Sequence, residues 1–157
     1  MSLPVISLQT IRNRLKAGRV KPLALDYPVE LRPPPIDIRM MDSVLYRNGK
    51  ESVALFCRGR KKALYRVRLW LDGEDLPQLA RVCYRFPTGA GLPDIPMPRT
   101  VENVRCETHI WTGELLEIVA ELTLKDGRSY HLRHELAYGQ ELKGARTTFV
   151  EVAATGL

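Results

Sequence analysis

The sequence predicts an all-β domain, a two-layered sandwich, and three observations carry that prediction. From residue 37 onward short apolar runs are separated by turn residues, and their periodicity is near two rather than 3.6. Eight such runs fall within about 115 residues, with loops of irregular length, which suits a sandwich better than a barrel. The chain has 157 residues, 45% hydrophobic and 27% charged, enough for one domain to bury a core without disulfides or a structural metal.

Residues 1–36 read differently. Leu8, Ile11 and Leu15 are spaced at i, i+3 and i+7 among polar Gln9, Arg12, Asn13, Arg14 and Lys16, and Gly18 follows as a stop. This spacing predicts one short basic amphipathic helix. Pro22, Pro28 and Pro33-Pro34-Pro35 then predict an extended connector over about 18–36, because proline lacks an amide hydrogen and fixes φ. Residues 1–40 hold seven Lys/Arg against three acids, so four of the formal net charge of +6 sit there. The expected division is an arm at 1–36 and a sandwich at 37–157.

The expected strands are Ile36–Met41, Ser52–Cys57, Leu64–Leu71, Ala80–Phe86, Asn103–Ile110, Leu115–Leu124, Ser129–Ala137 and Thr147–Val152. Arg66 and Arg68 alternate with Val67 and Leu69, and Trp70 shares the arginines' parity. Leu116, Ile118, Ala120, Leu122 and Leu124 form one face of the sixth run, and Tyr130, Leu132, His134 and Leu136 one face of the seventh. Asp126-Gly127 between those two runs predicts a two-residue type I′ hairpin turn.

No run of about 18 apolar residues occurs, and the N-terminus lacks a short apolar core followed by a small-residue cleavage site. The expectation is a cytoplasmic protein with no membrane partner. Cys57, Cys83 and Cys106 are odd in number and widely spaced, which argues for buried thiols rather than a disulfide framework. Cys106-x-x-His109 could begin a zinc set with Cys57 and Cys83, but those two are isolated in apolar runs, so no metal and no cofactor is expected. His131 and His134 fall on opposite faces of a strand, and His134 reads as a core-edge histidine bonded to a backbone carbonyl. Glu114 and Glu117 likewise face apart. No Gly-x-Ser-x-Gly elbow, phosphate-binding Gly-rich loop or metalloprotease signature is present, so a non-enzyme is expected.

A sequence pI near 9.4 makes acidic partners plausible. The cluster Arg58, Arg60, Lys61, Lys62, Arg66 and Arg68 is the strongest polar signal. It reads either as a charged hairpin and edge strand or as a nucleic-acid-binding patch contacting mostly phosphates, since only Tyr65 accompanies it for stacking.

One order of segments is distinctive: Tyr65-Arg-Val-Arg-Leu-Trp-Leu-Asp-Gly73, then Val82-Cys-Tyr84, then a loop with Pro87 and Pro93. Glu107-Thr-His-Ile-Trp-Thr-Gly-Glu-Leu115, Ala120-Glu-Leu-Thr-Leu-Lys-Asp-Gly127 and His134-Glu-Leu136 complete it. Over about residues 62–138 this resembles the YEATS domain in its prokaryotic form, which implies an immunoglobulin-like β-sandwich. In eukaryotic relatives two loops at one end form an aromatic cage for acylated lysine. Such a site uses aromatic faces and a hydroxyl to hold a flat acyl-amide. Where the family's first loop has His, Ser and an aromatic, this chain has Pro87, Gly89 and Ala90, with Thr88 the nearby hydroxyl; the second loop keeps Trp111, Gly113 and Glu114.

The resemblance therefore implies a binding module with a site between the 86–100 and 109–114 loops. Trp111 is its aromatic wall, Phe86 lies beneath or beside it, Thr88 supplies the hydroxyl, and His109 and Gly113 shape the rim. The expected ligand is a peptide or a modified side chain. The alternatives are the nucleic-acid patch and an assembly protein whose 1–36 arm docks on a neighbouring subunit.

Overall fold

The structure, a computed structural model, describes residues 35–57 and 62–152. The expected N-terminal helix and nearly all of the connector lie outside the described residues, as do Arg58, Arg60 and Lys61.

Among the described residues there are nine strands: β1 (Arg39–Ser43), β2 (Glu51–Cys57), β3 (Leu64–Asp72), β4 (Leu79–Arg85), β5 (Ile95–Pro98), β6 (Thr108–Thr112), β7 (Glu117–Leu124), β8 (Ser129–Glu135) and β9 (Arg146–Val152). A short 3-10 helix, Leu76–Gln78, leads into β4. One sheet centres on β3, with β6 on one edge and both β1 and β2 on the other; β9 adds to β2 in parallel. The second sheet has the order β5-β4-β7-β8 and is antiparallel throughout. The described residues are thus nearly all β, in two sheets, and none of their helices is long and apolar enough to cross a membrane.

The two sheets share one core. Val67, Leu69 and Leu71 of β3 are fully buried, as are Ile118, Ala120 and Leu122 of β7, while Arg66, Arg68 and Trp70 take the opposite face. Each of the valine, leucine and isoleucine side chains contributes roughly 1.5–3 kcal/mol through removal from water. Leu132 and Leu136 join the same core. Tyr84 is also fully buried, and its hydroxyl donates to the Cys106 carbonyl at 2.8 Å, a polar link between β4 and the chain entering β6.

Several expected boundaries move for physical reasons. The first strand starts at Arg39, because Asp37 is occupied in a clasp: its amide donates to Asp75 Oδ2 at 2.7 Å and its carboxylate accepts from the Glu74 amide at 2.9 Å. Gly73 permits this clasp, since a Cβ there would lie 2.1 Å from the Asp37 carbonyl oxygen and its φ is +141°. The strand expected from Asn103 starts only at Thr108: the Asn103 side chain receives the Glu107 amide and donates to the Glu107 carbonyl, folding 103–107 into a turn. Cys106 adopts φ 50° within it. Ile95–Pro98, expected within the 86–100 loop, is instead an edge strand among the described residues, the sheet position where proline's missing amide is tolerated.

The Asp126-Gly127 hairpin is present, but its turn is not type I′. Leu124 and Arg128 close a three-residue loop, and of its residues only Gly127 has positive φ, 89°. That is the type I turn with a left-handed glycine bulge. Asp126 bonds the Arg128 amide and guanidinium instead of adopting positive φ itself. His134 is also bonded differently from expectation: its Nε2 meets Asp42 Oδ1 at 2.5 Å. Asp42 shares the inward face of Leu69, its side chain only 2% exposed, so this contact ties β1 of one sheet to β8 of the other.

Tyr84→Phe leaves the Cys106 carbonyl buried without its partner. The expected loss is about 1–2 kcal/mol of unfolding free energy in urea titration, with the denaturant slope unchanged.

Candidate functional site

β6 and β5 are both edge strands, one in each sheet. Between β6 and the segment leading into β5 runs a groove of about 770 Å³. Trp111, His109 and Gly113 line one side; Ala90, Leu92 and Ile95 line the other. Leu92 and Ile95 also pack against the core, which holds that wall in place.

The register of β6 sets which side chains reach the surface. Ile110 stands opposite Val67 and is buried; His109 stands opposite Arg68 and Trp111 opposite Arg66. Directly opposed residues share a face, so His109 and Trp111 project with the arginines on the outer face. Trp111, expected on a loop, is therefore held in a strand, and the turn begins one residue later. Thr112 Oγ1 accepts from the Glu114 amide at 3.1 Å, a local side-chain turn. Gly113 is dictated by close approach: a Cβ there would sit 2.9 Å from the Ala63 carbonyl oxygen.

Three of the five expected site residues thus meet at the groove, and two do not. Phe86 is half-buried and packs against the core, and Thr88 is exposed on the Pro87–Ala90 turn; neither lines the groove. The wall facing Trp111 is built instead from Gly89, Ala90, Gly91 and Leu92. That wall belongs to the 86–100 loop expected to face Trp111, and it includes the small-residue run 89–91. Leu55, Leu64 and Val152 complete the lining and had no sequence signal, because only sheet pairing brings β2, β3 and β9 to this end.

The charged groups here are mostly committed. Lys62 Nζ lies 3.9 Å from Glu114 Oε1, both largely exposed, an ion pair of small energetic weight. Arg68 Nη1 donates to Glu107 Oε1 at 3.1 Å, and its guanidinium lies 5.1 Å from the Trp70 ring centroid. Glu117 pairs with Arg133 at 3.2 Å, so Glu114 and Glu117 serve different cations. His109 titrates below its ordinary value, first through partial desolvation and then through nearby Arg66, with Glu107 pulling the other way.

Cys83, Cys106, Ser43 and Ser52 do not form a reactive set. Burial pushes Cys106 up to about 11 and raises Cys83 as well, which keeps both protonated at neutral pH. Ser43 Oγ donates to Glu141 and Ser52 Oγ pairs with Thr147, away from the groove. Among the described residues no three His, Cys, Asp or Glu side chains lie close enough to hold a metal ion. Comparison with protein-family models, with curated proteins and with solved structures finds no match.

Because its native pKa lies below the unfolded value near 6.5, His109 favours folding while neutral. Its contribution is present above pH 6.5 and lost as pH falls toward the lower native pKa. An NMR titration is expected to place His109 below 6.5, and Arg66→Ala to move it part of the way back up.

Proposed function

We propose that this chain is a non-catalytic binding module, similar to the prokaryotic YEATS domains and immunoglobulin-like in its sandwich. It takes a peptide, or an acylated side chain on one, in the groove beside β6. The observation that carries the reading is the convergence of His109, Trp111 and Gly113 with the 89–95 segment around one groove between two sheet edges. A concave, largely apolar surface with a few polar groups is the general form of a ligand site. Trp111 offers an aromatic face for a flat acyl-amide, and the Gly89–Gly91 wall lets ligand backbone approach closely. Thr88 and Phe86 have no part in this version of the site; with one aromatic wall rather than a cage, the ligand stacks on a single face.

A second reading, assembly with another subunit, is favoured by β9. This edge strand leaves Phe149 66% and Val150 42% exposed. The nucleic-acid reading draws less support among the described residues, because Lys62 pairs with Glu114 and only one nitrogen of Arg68 is given to Glu107, leaving a confined cleft rather than an open stripe of free cations.

Titration of acetyl- and longer acyl-lysine peptides is expected to show binding that changes little with salt. Trp111→Ala should abolish it while leaving unfolding free energy within about 1 kcal/mol of the parent, as for a surface residue. Undiminished peptide binding by that variant overturns the assignment. Peptide silence together with concentration-dependent mass selects the assembly reading instead.

A further inference from the structure

A second concavity, about 240 Å³, opens on the outer face of the β3 sheet, and it shares no lining residue with the groove. Its floor is β3, presenting Arg66 and Arg68; its rim is the 44–51 segment, presenting Tyr46 and Arg47. That rim is a closed hairpin. Leu45 bridges Ser52, the Gly49 amide donates to the Tyr46 carbonyl at 2.8 Å, and Asn48 Oδ1 accepts from the Lys50 and Glu51 amides. The mouth residues are therefore carried on a fixed element.

The charges inside do not cancel. Three guanidinium groups, Arg47, Arg66 and Arg68, face two carboxylates, Glu51 and Glu107. Glu107 serves two of the arginines, Arg68 at 3.1 Å and Arg47 at 3.7 Å. Arg66 makes no ion pair among the described residues, so the surplus positive charge resides on it. Arg68 adds an unspent donor: its Nε is shielded from solvent and has no hydrogen-bond partner, although the same guanidinium is held by Glu107 and by the Trp70 face. A shielded, charged donor without an acceptor is costly, and native structures retain such groups where something else supplies the acceptor.

We propose that this cleft is a binding site for a small oxyanion, a phosphate or carboxylate group held between Arg66 and Arg68 with Arg47 and Tyr46 at its mouth. Guanidinium forks match the planar edge of such groups and bind them through two parallel hydrogen bonds. The resident Glu107 carboxylate already shows the donors of Arg68 and Arg47 serving an oxyanion. The remaining N–H groups then donate to a second one, and the surplus charge on Arg66 attracts it.

His109 gives a local readout, since it stands opposite Arg68 on the sheet and its titration responds to Arg66 and Glu107. The full chain is titrated with inorganic phosphate and separately with acetate, against chloride at equal ionic strength, following the His109 imidazole and the Arg66 and Arg68 side-chain resonances by NMR. At least one oxyanion is expected to bind saturably and to raise the His109 pKa, with Arg66→Gln weakening that binding at least tenfold and the exposed Arg47→Gln weakening it less. Saturation by phosphate alone or acetate alone names the group the site takes. Shifts no larger than those from chloride, or binding unchanged in Arg66→Gln, overturn the proposal; both variants alter surface side chains, so their folding is checked on the same spectra.

Discussion

The alternation of β3 is the constraint on which the rest depends. Its nine residues carry Val67, Leu69 and Leu71 to the core and Arg66, Arg68 and Trp70 to the outer face. A slip of one residue would exchange the two sets and bury two guanidinium groups. Every other strand of that sheet except β9 reads its register from β3. β1 and β2 follow one edge, and β6 the other, so the positions of His109 and Trp111 are consequences of where Arg66 and Arg68 must lie. Both the groove and the arginine cleft are thus by-products of a single buried triad of aliphatics.

Polar ties between the two sheets keep their open edges in a fixed relation. Tyr84 holds the chain entering β6 from the opposite sheet, and Asp42 holds His134 and the Ala137 amide. Glu141 bonds Ser43 and the Val44 amide from the same side, and the Tyr138 hydroxyl reaches the Glu114 carbonyl at the end of β6. Buried hydroxyl and carboxylate partners of this kind add little net energy each but are costly to break. Their value here is geometric: they fix the 114 turn and the start of β6, and with them one wall of the groove. The facing edge is closed to further pairing by Pro96 and Pro98, whereas β6 carries no proline.

Much of the fold was legible because strand alternation is a local signal. Ile118, Ala120, Leu122 and Leu124 are buried as their parity demands, and the hairpin after them is where Asp126-Gly127 puts it. What misled was side-chain chemistry that competes with the ladder. Asn103 turns a run that looks like strand, Asp37 clasps residues 73–75, and Asp126 spends its carboxylate on Arg128 so that only Gly127 needs a left-handed backbone. The candidate site was legible in its β6 half, since His109, Trp111 and Gly113 alternate within five residues, and in the 86–100 segment that faces it. The contribution of Leu55, Leu64 and Val152 was not, because only sheet pairing brings these strands together, and the facing wall carries glycine and alanine where Phe86 and Thr88 were expected.

Backbone amide shift mapping during titration with an acyl-lysine peptide locates the proposed ligand. A ligand held between the β5 and β6 edges perturbs residues 109–114 and 89–95 together and leaves Phe149 and the Tyr46–Arg47 rim unmoved. Perturbations at Phe149 and Val150 alone, or at the Tyr46–Arg47 rim alone, with residues 109–114 silent, rule that position out.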